Sequence, residues 1–115
     1  MLPKSRRIPR KLFATISFEG APLRTPLFNL RYSRGRRSPS RAAVVVSVRV
    51  ARRAAERNRI RRRLTAALES YLPQLQPGFF LVFYPTAEAR RAKFSLIRQA
   101  VGGALAHIGA FPLSQ

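Results

Sequence analysis

Apolar positions alternate along residues 42–50. Val44, Val46, Val48 and Val50 share one side, and Ala43, Val45, Ser47 and Arg49 the other, which predicts a strand with one continuous apolar face. The period then lengthens. From residue 51 to residue 71, Ile60, Leu64, Ala67, Leu68 and Tyr71 fall on one stripe of a helix that Pro73 and Pro77 terminate. Residues 79–84 are an unbroken apolar run and predict an interior strand covered on both faces. Thr86 is placed to cap a final helix, whose buried stripe is Phe94, Ile97, Val101, Leu105 and Ile108. Upstream, Phe28, Leu30 and Tyr32 alternate with Asn29 and Arg31, as in a half-buried strand. Leu12, Phe13 and Ile16 have helical spacing, with Gly20 placed to stop a short helix in the left-handed conformation. Leu12, Ala14, Ile16 and Phe18 also alternate, so pattern alone leaves helix and strand open there. The resulting order, α-β-β-α-β-α, predicts one α+β domain over residues 12–112, a small sheet of three to four strands packed with three helices. Residues 1–11 are expected to form a basic flexible arm, and residues 34–41 a turn-rich basic connection.

Charge changes the picture. The 115 residues carry 23 Lys or Arg, of which 20 are Arg, against Glu19, Glu56, Glu69 and Glu88 and no Asp, for a formal charge of +19. Such an excess destabilises a compact state by self-repulsion unless a polyanion takes it up. Nucleic acid is the expected polyanion, and planar guanidinium groups suit phosphate through paired hydrogen bonds. Anionic membrane is the second candidate, but no membrane partner is expected, and the longest apolar run, six residues, is too short for a membrane span. The absence of cysteine removes disulfides, thiolate nucleophiles and sulfur-ligated zinc, and fits a reducing compartment. The expected location is cytoplasmic.

The inventory for protein-based catalysis is nearly empty. His107 is the only histidine, near the end of a helix where the dipole favours it, and no Asp can complete a Ser-His-Asp triad. The four glutamates are far apart in sequence, and Gly102-Gly103 lacks the flanking residues of a phosphate loop.

The most informative stretch lies between Arg52 and Arg63, where seven of twelve residues are Arg and one is acidic. This is a cationic rod about 18 Å long that Ile60 and Leu64 pin to the core. Steps of 100° put Asn58, Arg59 and Arg62 on the outward half, with Arg61 and Arg63 flanking the stripe. Arg53 and Arg57 project on the core side at the N-terminal end, where positive charge opposes the helix dipole and a ligand explains it better than stability. Glu56 is placed to offset repulsion through Arg52, Arg53 and Arg59. Asn58 can both donate and accept, as reading an RNA edge requires.

Val46-Ser47 followed by Arg49, then Arg52-Arg53-Ala54 and the block from Glu56 through Arg57-Asn58-Arg59-Ile60 to Arg61-Arg62, resembles the hallmark of the bacterial ribonuclease P protein family. In that family a strand ending in Ser-Lys-Lys leads into a helix carrying Arg-Asn-Arg-x-Lys-Arg. Arg41, Ala43, Phe13, Gly20, Phe28 and Leu30 extend the resemblance over most of the chain. The chain departs from the family pattern at Val48, Thr65, Ser17, Phe79 and Pro85.

The resemblance implies a fold with a left-handed strand-helix-strand crossover around the Arg-rich helix. It implies the accessory protein of an endoribonuclease that removes the 5′ leader of precursor tRNA, with the catalytic residues in the RNA subunit and none in the protein. Mg²⁺ would be held mainly by the RNA partner, with no metal on the protein alone. The implied partners are the catalytic ribonuclease P RNA and precursor tRNA, with one protein monomer per RNA. Carried over residue by residue, Arg49, Arg52, Arg53, Arg57, Asn58, Arg59, Arg61 and Arg62 would contact the catalytic RNA. Phe13, Phe18, Phe28 and Tyr32 would line a cleft for the single-stranded leader. Charge and size alone also suit a structural RNA-binding protein, such as a ribosomal protein, or a protein that sets its Arg helix in the major groove of DNA.

Overall fold

A computed structural model describes residues 2–35 and 38–112. Four strands, β1 (Leu23–Arg24), β2 (Phe28–Ser33), β3 (Arg41–Val44) and β4 (Phe80–Pro85), form a mixed sheet in the order β1-β2-β4-β3. β2 is antiparallel to β1 and β4, and β3 is parallel to β4. The parallel pair needs a long crossover, and α2 (Ala54–Glu69) supplies it. A one-turn helix α1 (Arg10–Phe13) precedes the sheet, and α3 (Phe94–His107) ends the fold. The α+β class and single small domain expected from periodicity are present, with β1 as a short edge strand.

The register assigns each strand residue to a face. Leu30 lies opposite Phe83, Tyr32 opposite Leu81, and Ala42 and Val44 beside Leu81 and Phe83. This face packs on Leu64, Ala67 and Leu68 of α2 and on Ile97, Val101, Ala104 and Leu105 of α3, and it is the main core. The opposite face presents Asn29, Arg31 and Ser33 beside Tyr84, Val82 and Phe80. There Phe80, Val82 and Ile8 are covered by Leu12, Phe13, Ile16 and Phe18. The sheet is thus sandwiched, as the unbroken apolar run of β4 requires.

Several boundaries differ from the sequence expectation. The strand expected over residues 42–50 ends at Val44. Val45 still donates to Phe83 O at 2.9 Å, but the next ladder donor would be Pro85, which has no N–H. The chain turns instead, burying Val46 against Ala51, Ile60 and Ala89 and leaving Val48 62% exposed. Thr86 does not cap the last helix. Its hydroxyl donates to Pro26 O at 2.6 Å, it opens a 3₁₀ turn over Ala87–Arg90, and α3 begins only at Phe94. Phe94, expected in the buried stripe, sits at the first position of α3 and is exposed. The first helix is a single turn, although Gly20 adopts the left-handed conformation (φ 54°) expected of it.

The N-terminal segment, expected as a free arm, lies against the sheet. Arg7 bridges to Ala42, Arg6 Nη1 donates to Ser40 O at 3.1 Å, and Leu2 and Ile8 are buried. Two apolar anchors explain the placement: Leu2 enters the main core and Ile8 the opposite one. Met1, and Arg36 and Arg37 of the basic connection, lie outside the described residues.

Candidate nucleic-acid interface

Helix α2 is held on its inner side by Ile60, Leu64, Ala67 and Leu68, all buried. The hydroxyl or carboxylate cap usual at a helix start is absent, since the N-cap residue is Arg53 and makes no side-chain hydrogen bond. The preceding turn is held by Arg57 instead, whose Nη1 donates to Ala51 O (3.0 Å) and Arg52 O (2.7 Å). Arg63 likewise donates from Nη1 to Ala89 O (3.2 Å) and from Nη2 to Ala92 O, tying the turn after β4 to the helix. Two of the seven arginines are therefore structural clamps.

The remaining charge faces outward. Arg52, Arg53, Asn58, Arg59 and Arg62 are exposed, Arg49 is exposed on the turn before the helix, and Arg61 is half-buried. Arg61 Nη1 donates to Asn58 Oδ1 at 2.6 Å, so the Asn58 acceptor is engaged and its amide donor side is what it offers a ligand. Glu56 does not serve the helix arginines as expected. It pairs with Arg90, on the 3₁₀ turn, at 2.9 Å. Of the eight residues expected at this interface, six are exposed on α2 and its leading turn, Arg61 is half-buried on the flank toward β3, and the Arg57 guanidinium turns inward.

The four aromatics expected to share a leader cleft do not share one. Phe28 is fully buried on the main-core face, edge-on to Phe83 at 5.1 Å, and Tyr32 lies on that same face against Phe79 at 6.3 Å. Phe13 and Phe18 are half-buried on the opposite face. The alternation Phe28-Asn29-Leu30-Arg31-Tyr32 already carried this split, because period-2 residues cannot face both ways. On that face Phe13, Phe18 and Tyr84 pack together over Phe80 and Val82, with Asn29 and Arg31 beside them on β2; Tyr84, Asn29 and Arg31 are neighbours that the sequence reading did not place with the aromatics. The Arg31 guanidinium lies 5.0 Å from the Phe18 ring centroid, and its buried Nε has no hydrogen-bond partner.

The surface offers little else chemically. Among the described residues no three of His, Cys, Asp and Glu converge on a possible metal position, and no helix is long and apolar enough to cross a membrane. Glu19 pairs with Arg34 at 3.3 Å, and His107 is exposed at the end of α3.

Comparison with known proteins agrees with this geometry. The family model described as Ribonuclease P matches residues 2–109. The ribonuclease P protein component of Xanthomonas campestris pv. campestris is 35% identical over 112 residues, covering 96% of this chain and 74% of the relative. That of Nostoc punctiforme is 45% identical over 56 residues, 49% of this chain and 40% of the relative. A solved mutant of the ribonuclease P protein from Staphylococcus aureus superposes with a TM-score of 0.78 at 17% identity, over 94% of this chain and 92% of that one. With the arginine helix seated on a mixed sheet and the family match running almost end to end, the chain belongs to the ribonuclease P protein family.

Proposed function

We propose that this chain is the protein subunit of a cytoplasmic ribonuclease P whose catalyst is RNA. It binds the catalytic RNA and the 5′ leader of precursor tRNA and assists the cut that yields the mature tRNA 5′ end, one protein monomer per RNA. The observation that carries the reading is the outer side of α2, where arginines from Arg49 to Arg62 surround Asn58 without an exposed acid among them other than Glu56, itself paired to Arg90. A helix start that places Arg52 and Arg53 against its own dipole is relieved by phosphate, not by folding. Family membership supports the same partner.

The residues of this chain bind and orient. Exposed guanidiniums hold RNA phosphates in pairs of hydrogen bonds, and the half-buried rings of Phe13 and Phe18 offer stacking surfaces to leader bases of any sequence. The Mg²⁺ of the reaction would be held mainly by phosphates of the RNA partner.

The test is reconstitution. Purified protein alone should leave precursor tRNA intact, and adding the cognate ribonuclease P RNA should give cleavage at low Mg²⁺ that the RNA alone does not support. Failure to stimulate that RNA across a magnesium series would overturn the reading, and co-sedimentation with ribosomes at high salt without a processing defect on depletion would favour a structural ribosomal role. With Arg57 and Arg63 engaged inside the fold, the five other arginines between Arg52 and Arg62 alone contribute about −4 to −5 to the log-log salt slope of RNA binding.

A further inference from the structure

Beside α2 the 3₁₀ turn Ala87–Arg90 and the residue that follows it carry two arginines, Arg90 and Arg91, that the helix motif does not include. The turn is not a loose loop. Ala89 is 2% exposed and packs on Val46, Ala51 and Ile60, and Arg63 fastens the backbone at Ala89 O and Ala92 O. A fixed backbone therefore presents the two guanidiniums across from the helix. Between helix and turn lies an open cavity of about 280 Å³, bordered by Arg59, Arg63, Arg90 and Arg91 around Glu56. A second, of about 350 Å³, lies toward the helix start, where Arg49, Arg52 and Arg53 meet Glu56 and Arg90 from the other side. The Glu56–Arg90 pair stands between the two hollows.

One carboxylate among so many guanidiniums leaves each hollow strongly positive, and concave positive walls concentrate anions. The pair itself is a poor reason for the arrangement. Both side chains are about two-fifths exposed, and such pairs add little to stability. A phosphate, by contrast, engages a guanidinium through two parallel bonds and carries the charge the hollow lacks.

We propose that the turn Ala87–Arg90 and the adjoining Arg91 form a second wall of an RNA-backbone groove along α2, with Arg90 and Arg91 as phosphate ligands and Glu56 as a carboxylate stand-in that a phosphate displaces from Arg90. The inference rests on the RNA-binding reading above and extends it to a separate element of the fold.

The experiment measures affinity of the full chain for a fluorescein-labelled RNA hairpin with a single-stranded 5′ extension, across a potassium chloride series. Arg90→Gln/Arg91→Gln should flatten the log-log slope by about 1.8, and Arg91→Gln alone, which leaves the Glu56 pair intact, by about 0.9. Arg24→Gln, on the far edge strand β1, should leave the slope unchanged. Glu56→Gln should tighten binding at low salt. Far-UV circular dichroism identifies any variant that fails to fold, and Arg91→Gln keeps the test decisive if loss of the pair unfolds the double variant. A slope unchanged in Arg91→Gln overturns the second wall, as does an equal loss in Arg24→Gln, which would mean diffuse attraction. Weaker binding in Glu56→Gln overturns the stand-in role. A wild-type slope near −1 would instead mean that the RNA-binding reading itself had failed.

Discussion

On the side of the sheet that carries α2 and α3, Phe28, Leu30, Leu81 and Phe83 are wholly enclosed within the main apolar cluster. On the other side Phe80 and Val82 are just as buried, but their cover is half-buried Leu12, Phe13, Ile16 and Phe18, carried on one helical turn and irregular chain. Beside that cover lies Arg31, stacked on Phe18 with its Nε unpartnered. A buried donor without an acceptor is costly, and rings left half in water have area still to bury. The first face is closed as folded; the second keeps ring area and a donor available, and the leader strand is the ligand proposed for it.

The largest effect should separate the faces by stability. Phe83→Ala removes a fully enclosed ring and should cost about 3–5 kcal/mol in urea unfolding. Phe18→Ala removes a half-exposed ring and should cost about 1 kcal/mol, because half its area never left water. Equal losses would erase the distinction between a closed core and a half-covered face.

The next effect reverses the ranking. Phe18→Ala should weaken binding of precursor tRNA by about 1–3 kcal/mol, and the loss should vanish for mature tRNA that has no leader. Arg31→Gln should act in the same direction and more weakly, since it removes charge and the ring contact but keeps an amide donor. The measurement is the affinity difference between the two tRNAs, with the catalytic RNA present. A difference unchanged in Phe18→Ala would place the leader elsewhere.

How much of this was legible in the sequence follows from which constraints are local. The buried stripes of α2 and α3 were readable because Ile60-Leu64-Ala67-Leu68 and Ile97-Val101-Leu105 repeat at helical spacing, and the outward Asn58, Arg59 and Arg62 follow from the same 100° step. The end of β3 was not readable from its own residues. Val46, Val48 and Val50 continue the strand pattern, and what stops the ladder is Pro85, remote in sequence on the neighbouring strand. Arg57 and Arg63 looked like their neighbours because charge does not reveal that two guanidiniums are spent on the carbonyls of Ala51, Arg52, Ala89 and Ala92. The leader cleft failed differently. The resemblance supplied four aromatics as a set, while the strand alternation, already in view, assigned Phe28 and Tyr32 to one face and Arg31 to the other.

Adjacent residues on β2 give the finest test of that division. Tyr32 and Arg31 are one peptide apart, yet Tyr32 pairs across the ladder with Leu81 on the closed face and Arg31 with Val82 on the open one. If the leader lies on the face covered by α1, Tyr32→Leu should leave leader affinity unchanged, within about twofold, although it removes an aromatic ring. Its cost should appear in stability instead, at about 1 kcal/mol, from the lost tilted contact with Phe79 and the smaller buried area. If the leader were held by aromatics of the other face, the same substitution would lower affinity with little change in stability. Measuring both quantities on one variant decides which side of the sheet meets RNA, because the intervening strand lets no single side chain serve both.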